Sequence, residues 1–198
     1  MTLLRVLFLA LLQAYMGYAA AESIDDGLTS IAREIVVSDS VHGEFRQEKT
    51  LPFVTTPFVS TGEFRLARES GLFWHVLEPL ESTMLVRDGQ VSLDGKRVDD
   101  QGVGRLITTV MLGFLEGNLS GLKETFDVST DILDAGWTMS LTPKSSRLRA
   151  AIELVRIQGK QHLTAIEIVD AEHNRTLMQF TNVRTDAQEA VPLAEPAR

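Results

Sequence analysis

Three textures of apolar and polar residues succeed one another along the chain. A continuous apolar run, residues 6–12, follows a single positive charge at Arg5 and leads to the small residues Ala19, Ala20 and Ala21. From Ile24 the pattern turns helical. Ile24, Leu28, Ile31 and Ile35 fall at i, i+4, i+7 and i+11, one stripe of an amphipathic helix over 25–37. Asp25 and Asp26 stand where negative charge favours a helix start. Past Val41 the segments shorten, gain β-branched and aromatic residues, and are broken by Gly, Asp-Gly and Pro. This predicts strands over 42–49, 59–67, 72–77, 82–87 and 91–93, with Asp88-Gly89 as a tight hairpin turn and Asp94-Gly95 as another turn.

A second helical island comes next. Val103, Leu106, Ile107, Val110, Met111, Phe114 and Leu115 recur at threes and fours until Gly117-Asn118 stops the pattern. A short helical piece is expected over 120–124, then strands over 126–132, 136–141, 149–157, 163–169 and 175–184. Gly159-Lys160 and residues 170–174 supply hairpin turns. The fold class is therefore mainly β with helices (α+β). About ten antiparallel strands in meander order form a strongly curved sheet, with helices against its concave side.

The first texture has the three parts of a cleavable secretory signal: charged start, apolar middle, small-residue ending. The expected division is a signal peptide over 1–21, one domain over 22–186 and a loose tail over 187–198 that holds Pro192 and Pro196. The apolar run is far shorter than the roughly 20 residues that span a bilayer, so a soluble exported product is expected. The chain has no Cys, which fits a bacterial periplasm better than a small extracellular domain and excludes thiolate metal sites. It carries 27 acidic against 19 basic residues, a net charge of −8. That balance disfavours nucleic acid, whose binding rests on neutralised phosphates, and gives no general attraction to anionic lipid heads.

Catalytic chemistry finds little purchase. His42, His75, His162 and His173 show no metal-ligand spacing and read as surface or ordinary strand residues. No G-x-S-x-G elbow, P-loop or dinucleotide fingerprint occurs. Glu78, Glu81, Asp99 and Asp100 read as solvated turn positions. Neither catalytic residues, a metal nor a cofactor is expected. The broad apolar face of the 103–115 helix can simply pack on the sheet, or it can cover an apolar cavity, with flexible Met111 tolerant of variable guests.

Two stretches carry a family resemblance. Residues 62–89 run from Gly62 through Arg68, Phe73-Trp74 and Pro79 to Asp88-Gly89, preceded by Phe45 and Gln47 on the first strand. Trp137, Leu141 and Pro143 form the second, and Asp170, Thr176, Phe180, Asn182 and Val183 follow in order. This resembles the LolA family of outer membrane lipoprotein carrier proteins over nearly the whole chain after the leader. The resemblance implies an incomplete antiparallel β-barrel of about ten to eleven strands, closed by a helical lid over an apolar interior for acyl chains. It implies a monomeric, non-enzymatic periplasmic carrier, loaded by an inner-membrane transporter and unloaded at an outer-membrane receptor. Phe45, Phe64, Trp74, Met84, Leu106, Val110, Met111 and Trp137 are the expected cavity lining, on strand and helix parity. The family's lid-gating arginine, held to bond lid-helix backbone in the closed state, falls on Arg68. Glu69 follows it where the family usually has Pro, and could pair with it. A shorter end than the standard carriers have leaves an alternative open: a divergent branch that carries or senses another lipid or polyene-type acyl molecule for a dedicated pathway. A lipid-modifying enzyme is the third and weakest reading.

Overall fold

The computed structural model describes the backbone of residues 24–98 and 103–186, and the side chains of 27–98 and 110–185. The expected leader and tail lie outside the described residues, as does the Leu106 side chain.

Helix α1 (Ile24–Glu34) leads into a first meander: β1 (Ser40–Thr50), β2 (Phe58–Ala67), β3 (Gly71–Glu78), β4 (Ser82–Arg87), β5 (Gln90–Leu93) and β6 (Lys96–Val98). Helix α2 (Val103–Glu116) and the single turn α3 (Leu122–Thr125) follow. The second meander is β7 (Phe126–Leu133), β8 (Gly136–Pro143), β9 (Ile152–Gly159), β10 (Leu163–Asp170) and β11 (Arg175–Asp186), with the turn α4 (Ser146–Arg149) between β8 and β9. All eleven strands form one antiparallel sheet in the order β6-β5-β4-β3-β2-β1-β11-β10-β9-β8-β7. The β1–β11 pairing, from Ser40↔Asp186 to Thr50↔Arg175, joins the two meanders. The sheet stays open between its edges, β6 and β7. Lys96 and Arg97 on the short β6 discourage further strand pairing there.

Three boundaries differ from the sequence expectation. Helix α1 stops at Glu34, because Val36 turns its N–H to the Gln161 carbonyl (3.0 Å) and Val37 is solvent-exposed. The Asp94-Gly95 turn is a hairpin that creates β6, pairing Leu93 with Lys96. The strand expected from residue 149 starts at Ile152, because Ser145 caps a helical turn by accepting a hydrogen bond from the Leu148 N–H (3.2 Å).

Inward positions recur on alternate residues of several strands, with Phe64 and Leu66 on β2, Met139 and Leu141 on β8, Ile157 on β9 and Phe180 on β11 buried. Helix α1 buries Leu28 and Ile31 beside β7, so closely that a methyl on Gly27 would meet the Thr130 side chain. Helix α2 straddles two apolar groups. Phe114 stacks on Trp137 with centroids 5.9 Å apart, while Met111 and Leu115 pack with Leu66, Leu72, Val86 and Val91. Trp137 satisfies its indole N–H on the Lys160 carbonyl at 2.8 Å.

The convex face carries charge. Glu167 accepts from Arg156 (2.7 Å) and pairs also with Arg175. His75 sits between Glu81 (3.0 Å from Nε2) and Glu63 (3.2 Å from Nδ1). The hydrogen bond to Glu81, then that to Glu63, raise its pKa above the ordinary 6.5, outweighing partial burial. A raised folded-state pKa means that this contribution to stability is complete below about 6.5 and is lost as pH rises through the folded value. The melting-temperature advantage of the native protein over His75→Gln is therefore expected to be larger at acidic than at alkaline pH. A pH-independent difference would show that the imidazolium adds nothing.

Candidate functional site

Strand direction gives the sheet two distinguishable ends. At the proximal end β1 starts, β2 finishes and β3 starts. At the distal end lie the β1–β2, β3–β4 and β10–β11 turns. Beneath α2, on the concave face, is a cavity of about 480 Å³. Leu72, Trp74 and Met84 of the first meander wall one side. Leu141, Val155, Ile157, Ile166, Ile168 and Met178 wall the other. Phe180 closes the seam between them, and Val110 and Met111 reach in from α2. The polar lining side chains are Gln47, Ser82, Thr83 and Thr176, near the distal ends of their strands. None of the described lining residues is titratable. Such a surface can shelter an apolar molecule by dispersion and water exclusion.

Irregularities in the sheet shape this wall. Between Asp170↔Ile152 and Val169↔Leu154 the register slips at Glu153, and that extra residue puts Ile152 into the lining alongside Val155 and Ile157. A second slip on β11, where Asn182 takes a left-handed φ of 53°, separates Phe180 from the strand's last residues.

Of the eight residues expected to line a cavity, Trp74, Met84, Val110 and Met111 stand on the wall of this one. Phe45 lies behind the wall, and Phe64 borders a smaller apolar pocket shared with Met111, Phe114 and Phe180. Phe45 stacks on Trp74 with centroids 3.8 Å apart, and Phe64 meets Phe180 edge-on at 5.2 Å. Trp137 lies in the packed core against Phe114, away from the lining. Leu106 falls outside the described side chains. Most of the β8–β11 wall escaped sequence reasoning. Alternation such as Ile166/Ile168 was a signal, but apolar residues on both faces, as in Leu154-Val155 and Leu177-Met178, blur it.

Arg68 follows β2 directly and spans two elements. Its guanidinium lies 3.6 Å from Glu116, the last residue of α2, and 3.7 Å from Asp39, which precedes β1. Its own N–H donates to the Asp39 carbonyl at 3.2 Å. It thus reaches the end of α2 through a side-chain carboxylate rather than through helix backbone, and its ion-pair partners are these two acids rather than Glu69. Nearby, the Ser38 N–H donates to the Leu115 carbonyl (3.3 Å), a second tie between α2 and the segment before β1.

The family model described as Outer membrane lipoprotein carrier protein LolA matches residues 37–191. A curated relative, an outer-membrane lipoprotein carrier protein of Pseudomonas fluorescens (strain Pf0-1), is 26% identical over 140 residues. That match covers 69% of this chain and 66% of the relative, so the chain spans just under two thirds of the relative's length. Among solved structures, a LolA superfamily protein from Nitrosomonas europaea gives a TM-score of 0.47 at 9% identity, over 84% of this chain and 94% of that one. MucB, in the Pseudomonas aeruginosa MucA/MucB complex, gives 0.40 at 13% identity, over 84% and 57%.

Proposed function

The chain belongs to the LolA family of outer membrane lipoprotein carrier proteins, and on that premise we propose that it is a periplasmic carrier for the acyl chains of lipoproteins. It shields them in the cavity under α2 while they cross from the inner to the outer membrane. The observation that supports this most is the lining itself: a cavity of about 480 Å³ with an almost wholly apolar wall, no titratable group among its described residues, in a chain that is otherwise acidic. Each methylene transferred from water to such a wall gains about 0.8 kcal/mol, enough for an acyl chain to need shelter and to find it here. The carriage is non-covalent and requires neither catalysis nor a cofactor. Loading by an inner-membrane transporter and unloading at an outer-membrane receptor complete the proposed route, with the carrier working as a monomer.

Mass spectrometry of the protein purified from the periplasm, with whatever it carries, tests this. Acylated lipoproteins in stoichiometric amount are the expected result. A free lipid in their place would redirect the reading to a dedicated lipid pathway. A protein that comes out empty and also fails to take up an apolar dye would defeat the carrier reading.

Arg68 is proposed to bias the lid toward its closed position. Exposed ion pairs contribute about 0–1 kcal/mol, so its two pairs can shift a closed-to-open ratio only severalfold. Arg68→Leu is expected to accept cargo normally and to release it about two- to fivefold more slowly, since the emptied lid gains less by closing. Transfer kinetics between donor and acceptor membranes measure this, and an unchanged release rate would remove Arg68 from the gate.

A further inference from the structure

Residues 50–62 form the longest stretch of the first meander without a charge, thirteen positions in a chain with 46 charged side chains. They contain the β1–β2 turn at the distal end, the end reached by the cavity through Gln47, Ser82 and Thr176. The turn is built to display its tip. The Val54 N–H donates to the Leu51 carbonyl at 3.1 Å, which places Pro52 and Phe53 at the two central positions of a reverse turn. Proline pre-sets the backbone there, so little order is lost when the tip is engaged. Phe53 is 98% exposed and Phe58, at the start of β2, 60%. Beside it, because β2 pairs with β3, the β3–β4 turn presents Leu80 at 79% exposure and Leu77 at 50%. That turn is tied down through Glu81, whose carboxylate bonds His75. Two neighbouring turns on one rim therefore hold large apolar side chains out into water. Isolated exposed apolar residues are ordinary, but a cluster on two braced turns marks a contact surface.

We infer that these two turns are a membrane-contacting edge, with Phe53, Phe58 and Leu80 entering the acyl boundary of a phospholipid surface. The inference rests on the carrier reading and assigns the partner that the cavity's distal end faces. The shape favours lipid. The side chains protrude singly instead of lining a groove, and a fluid acyl layer receives such points without a complementary surface. The charge pattern favours uncharged or zwitterionic heads. The 50–62 stretch itself brings no cation, the flanking Lys49 and Arg175 are answered by Asp170 and Glu167, and the net −8 of the whole chain repels anionic lipid. Contact at this edge would bring the cavity against the acyl layer, so that a chain passes between them with little exposure to water.

Co-flotation with phosphatidylcholine vesicles tests the edge, with dye uptake in the same samples as a separate readout of the cavity. The native protein is expected to float with the vesicles, and to do so at high salt as well as low. The double variant Phe53→Ser with Leu80→Ser is expected to bind vesicles about tenfold less or weaker still, since two apolar insertions are lost, while taking up dye as the native protein does. Both positions are exposed, so the fold should survive, and unchanged circular dichroism checks that it has. A native protein that stays with the unbound fraction overturns the inference, as does a double variant that floats equally well. Loss of delivery in the double variant without flotation of the native protein would also overturn it, and would assign the edge to a protein receptor. Flotation without dye uptake would sustain the edge and defeat the carrier reading instead.

Discussion

Met111→Asp is expected to remove most acyl binding while leaving the sheet folded. Met111 is 8% exposed, packs with Leu66, Leu72, Val86 and Val91, and also forms part of the cavity wall. Among the described residues lining the large cavity, a carboxylate there finds no cation to pair with. Burying it unpaired costs several kcal/mol, so it must take up a proton or drive α2 off the sheet. Either outcome weakens acyl uptake by about a hundredfold or more. Met111→Leu is the control, because a swap of similar volume costs less than about 1.5 kcal/mol and keeps the wall apolar. Fluorescence titration with an apolar probe, alongside circular dichroism, separates lost binding from lost fold. Undiminished uptake by a folded Met111→Asp protein would mean that α2 does not cover the binding surface.

Gly62→Ala is expected to be strongly destabilising. Gly62 lies opposite Phe45 on one side and Val76 on the other, where the β2–β3 register slips. An added Cβ would overlap the His75 carbonyl oxygen and come within 2.8 Å of the Phe45 ring. The oxygen is backbone in a paired strand and cannot step aside. The ring cannot move without disturbing its stack on Trp74. Overpacking of this kind costs about 3 kcal/mol. In a chain of this size that lowers the melting temperature by roughly 6–12 °C. Because Trp74 is also cavity wall, acyl uptake should fall as well. Gly121→Ala makes the contrast. Gly121 has an ordinary helical φ of −63° and nothing within 4 Å of the added carbon, so the methyl should be neutral or stabilise by about 0.5 kcal/mol. Thermal melts of the two variants decide the matter, and equal melting temperatures would show that the strands around Gly62 yield more easily than their pairing implies.

These expectations differ in how far they could be anticipated from the residues. Met111 was legible: its spacing with Val103, Leu106, Val110, Phe114 and Leu115 marks one apolar helix face, and helical period is a local property. The tight environment of Gly62 was not, because it depends on which residue of the next strand lies opposite. Arg68 shows both limits. A motif singled it out, yet its partners Asp39 and Glu116 are 29 positions before it and 48 after it, and only folding puts them side by side.

By itself, the sequence determined the elements and their faces. Helical spacing, strand alternation and turn residues such as Asp88-Gly89 act within a few positions of one another, so three of the four described helices and ten of the eleven strands could be read directly, and meander order followed from short turns. Tertiary structure alone decided how the two meanders join and which residues face the cavity. The β1–β11 pairing links positions from 125 apart (Thr50↔Arg175) to 146 apart (Ser40↔Asp186), a closure that no local pattern encodes. Slips at Glu153 and near Asn182 change the parity on which an inward assignment rests, because each extra residue reverses the side to which those beyond it point. The slip at Glu153 thus brings Ile152 to the cavity wall, Met178 comes there through its pairing with Gln47 and Ile166, and Trp137, on a strand whose pairings run without slips, is buried against Phe114.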